Sequence, residues 1–216
     1  TFYYKHGIEE RFKPTKRKGK NKPFTFLHIG EPSSRKDGQM IAEAFIELYG
    51  NNPDYRLVMK GSRINTVKVL EPLSGHLISP PVHYKNITFI NESLTNEQLV
   101  GLYNLCDVFV YPTWGEGFGF QPLEALAMGM PVISVDEWAD YKDYITWPVD
   151  SDWVKSPWQD KHPGYMVKPD IESLKNRMLD SVENYEEVLQ KTFRNAFDIH
   201  REYDWLSVTK HAVERL

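Results

Sequence analysis

The spacing of short apolar runs constrains this chain more than any other feature. Phe24-Thr-Phe-Leu-His-Ile-Gly30 reads as a buried strand ending in a glycine turn. From Gln39 to Tyr49, the residues Met40, Ile41, Ala42, Ala44, Phe45, Ile46 and Leu48 recur at helical spacing, and Gly50-Asn-Asn-Pro53 stops them. Tyr55 to Gly61 is a second strand, again ending in glycine. Strand, helix, strand at this spacing is one βαβ unit, because parallel strands need a crossover about a dozen residues long. The pattern then resumes. Ile87–Ile90 is a strand, and Ser93 or Thr95 can cap the next helix, which runs to Leu105, Thr95 with Gln98 three residues later fitting a capping box. Asp107–Tyr111 is a fourth strand, and 112–120 a Gly-rich turn. A helix follows from Gln121 to Met128, with Pro122 in its first turn. Pro131–Val135 is a fifth strand, Gly164–Lys168 a sixth, and helices fill 170–216. The class is α/β, a Rossmann-like parallel sheet with helices on both faces. Ligands of such sheets sit at the carboxyl ends of the strands, near a switch in strand order.

Charge divides the chain. Residues 1–22 carry eight basic and two acidic side chains, while the whole 216 residues carry a net −4. The basic run is Arg11, Lys13, Lys16, Arg17, Lys18, Lys20 and Lys22. A solvated linker fits it, and so does a patch for an anionic membrane surface. No aromatic residue interleaves with Lys16–Lys22 and the remainder is acidic, so nucleic acid is not the expected partner. The expected organisation is a basic linker over 1–22, a Rossmann-like domain over 23–200 and a C-terminal helix over 201–216. Two stretches interrupt the alternation. Residues 62–86 hold three prolines and no sustained period, with one short element expected near Val67–Leu70. Residues 136–163 hold Trp138, Trp147, Trp153 and Trp158, four of the six tryptophans. The plain reading of the second is a satellite core over the sheet edge, and the alternative is a surface for a partner.

The single cysteine, Cys106, excludes a disulfide framework and a Cys-cluster metal site. Together with the lack of any 18-residue apolar stretch, it favours a reducing, cytoplasmic location, with the basic run as a peripheral membrane contact. The chain opens on Thr1, without an initiator Met or a signal peptide, as a fragment of something longer would.

The chemistry concentrates after the fourth strand, in Tyr111-Pro-Thr-Trp-Gly-Glu116-Gly117-Phe118-Gly119-Phe-Gln-Pro-Leu-Glu124. Gly117 and Gly119 let the backbone turn tightly and present N–H groups. The positive end of the next helix points to the same place. Glu116 and Glu124 can flank a ligand there and accept hydrogen bonds from vicinal hydroxyls. Phosphate plus sugar is therefore one reading. A helix-dipole role for Glu124 and a solvated turn for Glu116 is the other. No Gly-Lys-Ser/Thr follows the glycines, so this is not a P-loop.

The run 112–133 resembles the signature of retaining glycosyltransferases of GT-B fold in glycosyltransferase family 4, the glycosyl transferases group 1. His6-Gly-Ile-Glu-Glu-Arg-Phe-Lys-Pro14 resembles that family's entry into its second domain, and Leu94–Asp107 the helix and strand before the signature. The resemblance implies one half of a GT-B fold, the donor-binding half. It places Glu116 at the donor sugar, Glu124 at the ribose hydroxyls, and the amides of Gly117, Phe118 and Gly119 at the distal phosphate. The family holds the diphosphate with an Arg and a Lys after the first strand. Here Gly30 is followed by Glu31, so the Arg is absent from its usual place. Lys36 matches the Lys, and Arg35 beside it is a substitute, reaching over the turn Pro32-Ser33-Ser34. The base would lie near Lys60, Gly61, Asn91 and Glu92, with Asn91 a donor contact.

Catalysis is accordingly assigned to Glu116, Lys36 and Arg35, and donor binding to Gly30, Gly117, Phe118, Gly119, Glu124 and Asn91. The reaction implied is transfer of a sugar from a nucleoside diphosphate sugar to an acceptor hydroxyl with retention, by a hexosyltransferase. The resemblance implies no metal and no cofactor. It also implies an N-terminal domain, missing from this chain, that binds the acceptor in the main and is needed for full activity. A non-catalytic sugar-nucleotide-binding module and half of a nucleotide-sugar epimerase are the alternatives.

Overall fold

The computed structural model describes residues 5–31, 33–61 and 84–214, with the backbone of 69–70 and 77–78. The chain order is β1 (Phe24–Ile29), α1 (Gly38–Tyr49), β2 (Tyr55–Lys60), β3 (Val69–Leu70), β4 (Leu77–Ile78) and β5 (Ile87–Ile90). Then come α2 (Asn96–Leu105), β6 (Val108–Tyr111), α3 (Phe120–Ala127), β7 (Val132–Ser134) and β8 (Trp147–Pro148). The chain closes with β9 (Ser151–Lys155), β10 (Tyr165–Pro169), α4 (Ile171–Glu183), α5 (Tyr185–Tyr203) and α6 (Trp205–Val213).

Six strands form one sheet in the order β5-β2-β1-β6-β7-β8, every pairing parallel. The order reverses between β1 and β6, so a crevice opens at their carboxyl ends. Both faces of the sheet are buried. Phe24, Phe26, Val108 and Val110 join a core with Ile41, Phe45, Leu174 and Met178 from α1 and α4. Leu27, Phe109 and Tyr111 join the opposite core with Leu102, Tyr103, Leu123 and Leu126 from α2 and α3. The helix α5 serves both, Tyr185 packing on the first face and Ile199 and Tyr203 on the second. Short polar side chains set the helix starts. Thr95 and Gln98 form the expected capping box, and Asp170 and Asp204 accept backbone N–H groups at the starts of α4 and α6.

The structure corrects several expectations. The sixth sheet strand is β8, not the stretch near Gly164. Two residues are too short to show a period, whereas Tyr165–Pro169 is a real strand that pairs antiparallel with β9. The tryptophan-rich segment is no satellite core. Tyr141 and Ile145 belong to the α2/α3 core and Trp147 and Val149 to the other, while Trp153 is left 60% exposed. Within 201–216, α5 runs through 201 to Tyr203, and Asp204 caps a separate helix, α6. Of the element expected near Val67–Leu70, Val69–Leu70 pairs with Leu77–Ile78, and Val67 and Lys68 lie outside the described residues.

Residues 5–22 are strapped to the domain. Phe12 and Ile8 are buried, and the Ile8 N–H donates to the Tyr203 carbonyl at 2.6 Å. Arg17 donates to the Tyr103 carbonyl at 2.9 Å and to the Cys106 carbonyl, and the Asn21 N–H donates to Asp107 Oδ1 at 2.9 Å. Lys13, Lys16, Lys18, Lys20 and Lys22 remain exposed.

Candidate functional site

The segments after β1 and β6 meet in the crevice and are tied together at several points. The Trp114 N–H donates to the Arg35 carbonyl at 2.9 Å, and Thr113 Oγ1 to the same carbonyl at 3.1 Å. Asp37 caps α1 through Met40 N–H and accepts from Trp114 Nε1 at 2.9 Å. It does so at φ 48°, in the left-handed region, where a non-glycine backbone is strained. Burial raises the Asp37 pKa above the ordinary carboxylate value, against the two hydrogen bonds that lower it.

On this frame Arg35, Lys36 and Glu116 converge. Glu116 Oε1 lies 2.9 Å from Arg35 Nη1 and 3.1 Å from Lys36 Nζ. Tyr111, the last residue of β6, is the hub. Its hydroxyl lies 2.5 Å from Lys36 Nζ, 3.0 Å from Glu116 Oε1 and 3.1 Å from Gln121 Oε1. Thr113 Oγ1 lies 3.1 Å from the same Glu116 oxygen. Glu116 is thus no solvated turn residue, and Arg35 and Lys36 are half-buried against it. Beneath them His28 is buried and donates from Nδ1 to the Val110 carbonyl at 3.0 Å, since a carbonyl can only accept. Burial pulls its pKa down to about 4, so the ring is neutral at pH 7.

The glycines have different reasons. Gly119 caps α3 at φ 79°, and a Cβ there would come within 2.5 Å of Trp138 and 2.6 Å of the Tyr141 hydroxyl. At Gly30 a Cβ would crowd His28 Nε2 at 2.9 Å and Lys36 Cδ at 3.2 Å, so this glycine makes room for Lys36. Its N–H is committed to the Lys60 carbonyl. Gly117 differs from the expectation, because an added Cβ would meet open space and its φ lies outside the left-handed region. The Phe118 ring is buried edge-on against His6, Phe118 thereby anchoring the loop. Among the described residues no side chain caps α3, whose N-terminus follows directly on the loop.

Glu124 lies in α3, half-buried, and its Oε2 accepts from the Tyr103 hydroxyl at 2.8 Å. Burial pushes its pKa up to about 7, with the Tyr103 hydrogen bond pulling the other way. Asn91 follows β5, two strands from β1 in the sheet, or about 10 Å across at ordinary strand spacing. The structure does not bring it to the Arg35–Lys36–Glu116 cluster. Sequence reasoning missed Tyr111, Asp37 and Trp114. Tyr111 was findable as the residue ending a strand at the switch point, and Asp37 as a short acceptor ahead of a helix. Among the described residues, no group of three or more His, Cys, Asp or Glu could hold a metal ion, and no helix is long and apolar enough to cross a membrane.

Known proteins resemble this chain in sequence and in fold. The chain is 40% identical over 62 residues to the serotype-specific mannosyltransferase WbdA of Escherichia coli, a stretch covering 26% of this chain and 8% of that protein. It is 27% identical over 140 residues to the lipopolysaccharide core biosynthesis mannosyltransferase LpsB of Rhizobium meliloti, covering 61% of this chain and 39% of that one. The chain thus spans well under half the length of these curated relatives. The crystal structure of the C-terminal domain of LpcC, a glycosyl transferase group 1 family protein from Francisella tularensis, superposes with a TM-score of 0.61 at 19% identity. That match covers 92% of this chain and 100% of that domain, and at such low identity it speaks for the fold, one Rossmann-like half of a GT-B architecture. The model of the family described as Glycosyl transferases group 1 matches residues 9–196, most of the chain, and the protein therefore belongs to that family.

Proposed function

We propose that this chain is the donor-binding half of a hexosyltransferase that moves a sugar from a nucleoside diphosphate sugar to an acceptor hydroxyl with retention. One observation carries the reading. Arg35, Lys36 and Glu116 converge at the carboxyl ends of β1 and β6, in the segment leading into α3. The space in front of Gly117 supports it, since a ligand's close approach gives this glycine the reason that the fold does not.

In the reaction the anomeric C–O bond to phosphate breaks and its electron pair stays on the leaving diphosphate. A new C–O bond forms to the acceptor oxygen, whose proton passes to the diphosphate. Arg35 and Lys36 stabilise the negative charge that grows on the leaving group, helped by the amides at 117–119 and the α3 terminus. Arg35 thus takes the role of the Arg absent at Glu31. Glu116 exchanges its cationic partners for hydroxyls of the sugar, and Glu124 accepts from the ribose. Two mannosyltransferases among the relatives make a mannosyl donor the first to test. A second domain holds most of the acceptor and closes the crevice, and the exposed lysines of the strap meet anionic lipid.

The test is calorimetry with a sugar nucleotide and with its free nucleoside diphosphate. Glu116→Ala is expected to weaken the sugar nucleotide more than the free diphosphate. Equal losses for both would move Glu116 away from the sugar.

A further inference from the structure

The β9–β10 hairpin builds a second wall beside the crevice. Its Val167 N–H donates to the Trp114 carbonyl at 2.9 Å, and the Trp158 and Trp114 rings meet edge to face at 5.2 Å. Between hairpin and loop lies a cleft of about 550 Å³, the size of an ordinary small-ligand site. Trp114, Trp138, Trp153 and Tyr165 line it, with Lys161 and His162 from the hairpin. Arg35, Glu116 and Gly117 line it too, so the cleft is continuous with the proposed donor site.

Two of its aromatic faces are costly to leave in water. Trp153 is 60% exposed and Tyr165 71%, whereas Met166 and Val167 beside them are buried. Val167 stands opposite Trp153 in the hairpin, and Tyr165 opposite Lys155, which puts Trp153 and Tyr165 on the same face. A pyranose ring suits this surface. Its C–H face packs on aromatic rings while its rim of hydroxyls meets donors and acceptors. A nucleobase would also stack, but the sheet order argues against it. The base is expected beyond β2 towards β5, whereas the hairpin follows β8 at the opposite edge.

We propose that this cleft is an acceptor subsite for hexopyranose units of a glycan. Trp153 and Tyr165 stack on the sugar rings, and Lys161 and His162 donate to hydroxyls. The shared Glu116 places the acceptor's end next to the sugar being transferred, so the inference rests on the donor-site reading.

The test uses the 216-residue chain, with mannobiose, cellobiose and lactose as separate probes in saturation-transfer NMR, and calorimetry with a nucleoside diphosphate. At least one disaccharide is expected to receive saturation and to shift the Trp153 indole N–H resonance. Trp153→Ala with Tyr165→Ala should weaken that disaccharide about tenfold, as the loss of aromatic packing implies. Trp153→Phe with Tyr165→Phe should retain most of the affinity, and nucleoside diphosphate binding should persist in both variants. Silence from all three disaccharides, an unshifted Trp153 indole, or binding that survives the alanine pair overturns the proposal. Displacement of the disaccharide by a free nucleoside would also overturn it, by putting the base in the cleft. Disaccharide binding without any nucleoside diphosphate binding would remove the donor reading instead.

Discussion

At the carboxyl end of β1, Arg35 and Lys36 turn inward and share one oxygen of Glu116. Ahead of its amino end, Lys16, Lys18, Lys20 and Lys22 stay in water, and only Arg17 between them is drawn in, onto two backbone carbonyls. Both stretches are basic in the sequence. The difference lies in what surrounds them. The first pair sits where two loops converge at a reversal of strand order, half-buried against a carboxylate and a tyrosine hydroxyl. The lysines alternate along an extended strap whose grip on the domain comes from other residues. Burial and partners, rather than the count of charges, separate a site from a solvated face.

The largest effect that would sharpen this contrast is in the strap. Phe12 is 1% exposed and joins the α2/α3 core. Phe12→Ala should cost about 3–5 kcal/mol of folding stability, read from denaturant midpoints. A change within error would mean that the strap is held by its polar bonds alone.

Next come the inward cations. Arg35→Ala or Lys36→Ala should each weaken a nucleoside diphosphate by about 1.5–3 kcal/mol, the worth of a charged hydrogen bond, and leave the free nucleoside unchanged. A diphosphate still bound at full strength by Arg35→Ala would break the idea that Arg35 replaces the Arg missing at Glu31.

Glu124 brings a pH effect. Its pKa is raised from 4.5 to about 7 by burial. The folded state therefore holds that proton more tightly than the unfolded chain does. The stability this contributes is present below pH 4.5 and is lost as pH rises through about 7. In the proposed donor site, ligand binding has the opposite dependence, because there only the carboxylate would accept from two ribose hydroxyls. Nucleoside affinity should rise as pH climbs through 7, and Glu124→Gln should lower it and flatten the profile. A wild-type profile as flat as the variant's would take Glu124 out of the ribose site.

The smallest effect is expected at the outward lysines. Replacing Lys16, Lys18, Lys20 and Lys22 together by Ser should change neither the melting temperature nor nucleoside diphosphate affinity measurably. The same variant should lose flotation with phosphatidylserine vesicles, which the wild type should show at low salt and lose at high salt. Unchanged flotation would leave the strap as plain solvated surface.

The sequence alone determined the parallel α/β class, the main helices and five of the six sheet strands. These follow from local period and capping, which need no knowledge of distant residues. It also marked Glu116, Glu124, Lys36 and Arg35 as the residues to watch. Tertiary structure decided the rest. A two-residue strand such as Trp147–Pro148 has no period, so only its pairing with Ile133 and Ser134 makes it part of the sheet. The tryptophans of 136–163 look alike in sequence, yet Trp147 is core and Trp153 an exposed cleft wall, because the chain leaves the sheet after Pro148 and doubles back as a hairpin. Tyr111 became the hub of the site only because the fold brings Lys36, 75 positions away, to its hydroxyl. Contacts between residues so distant in the chain leave no local signature, since neither partner's neighbours need record them.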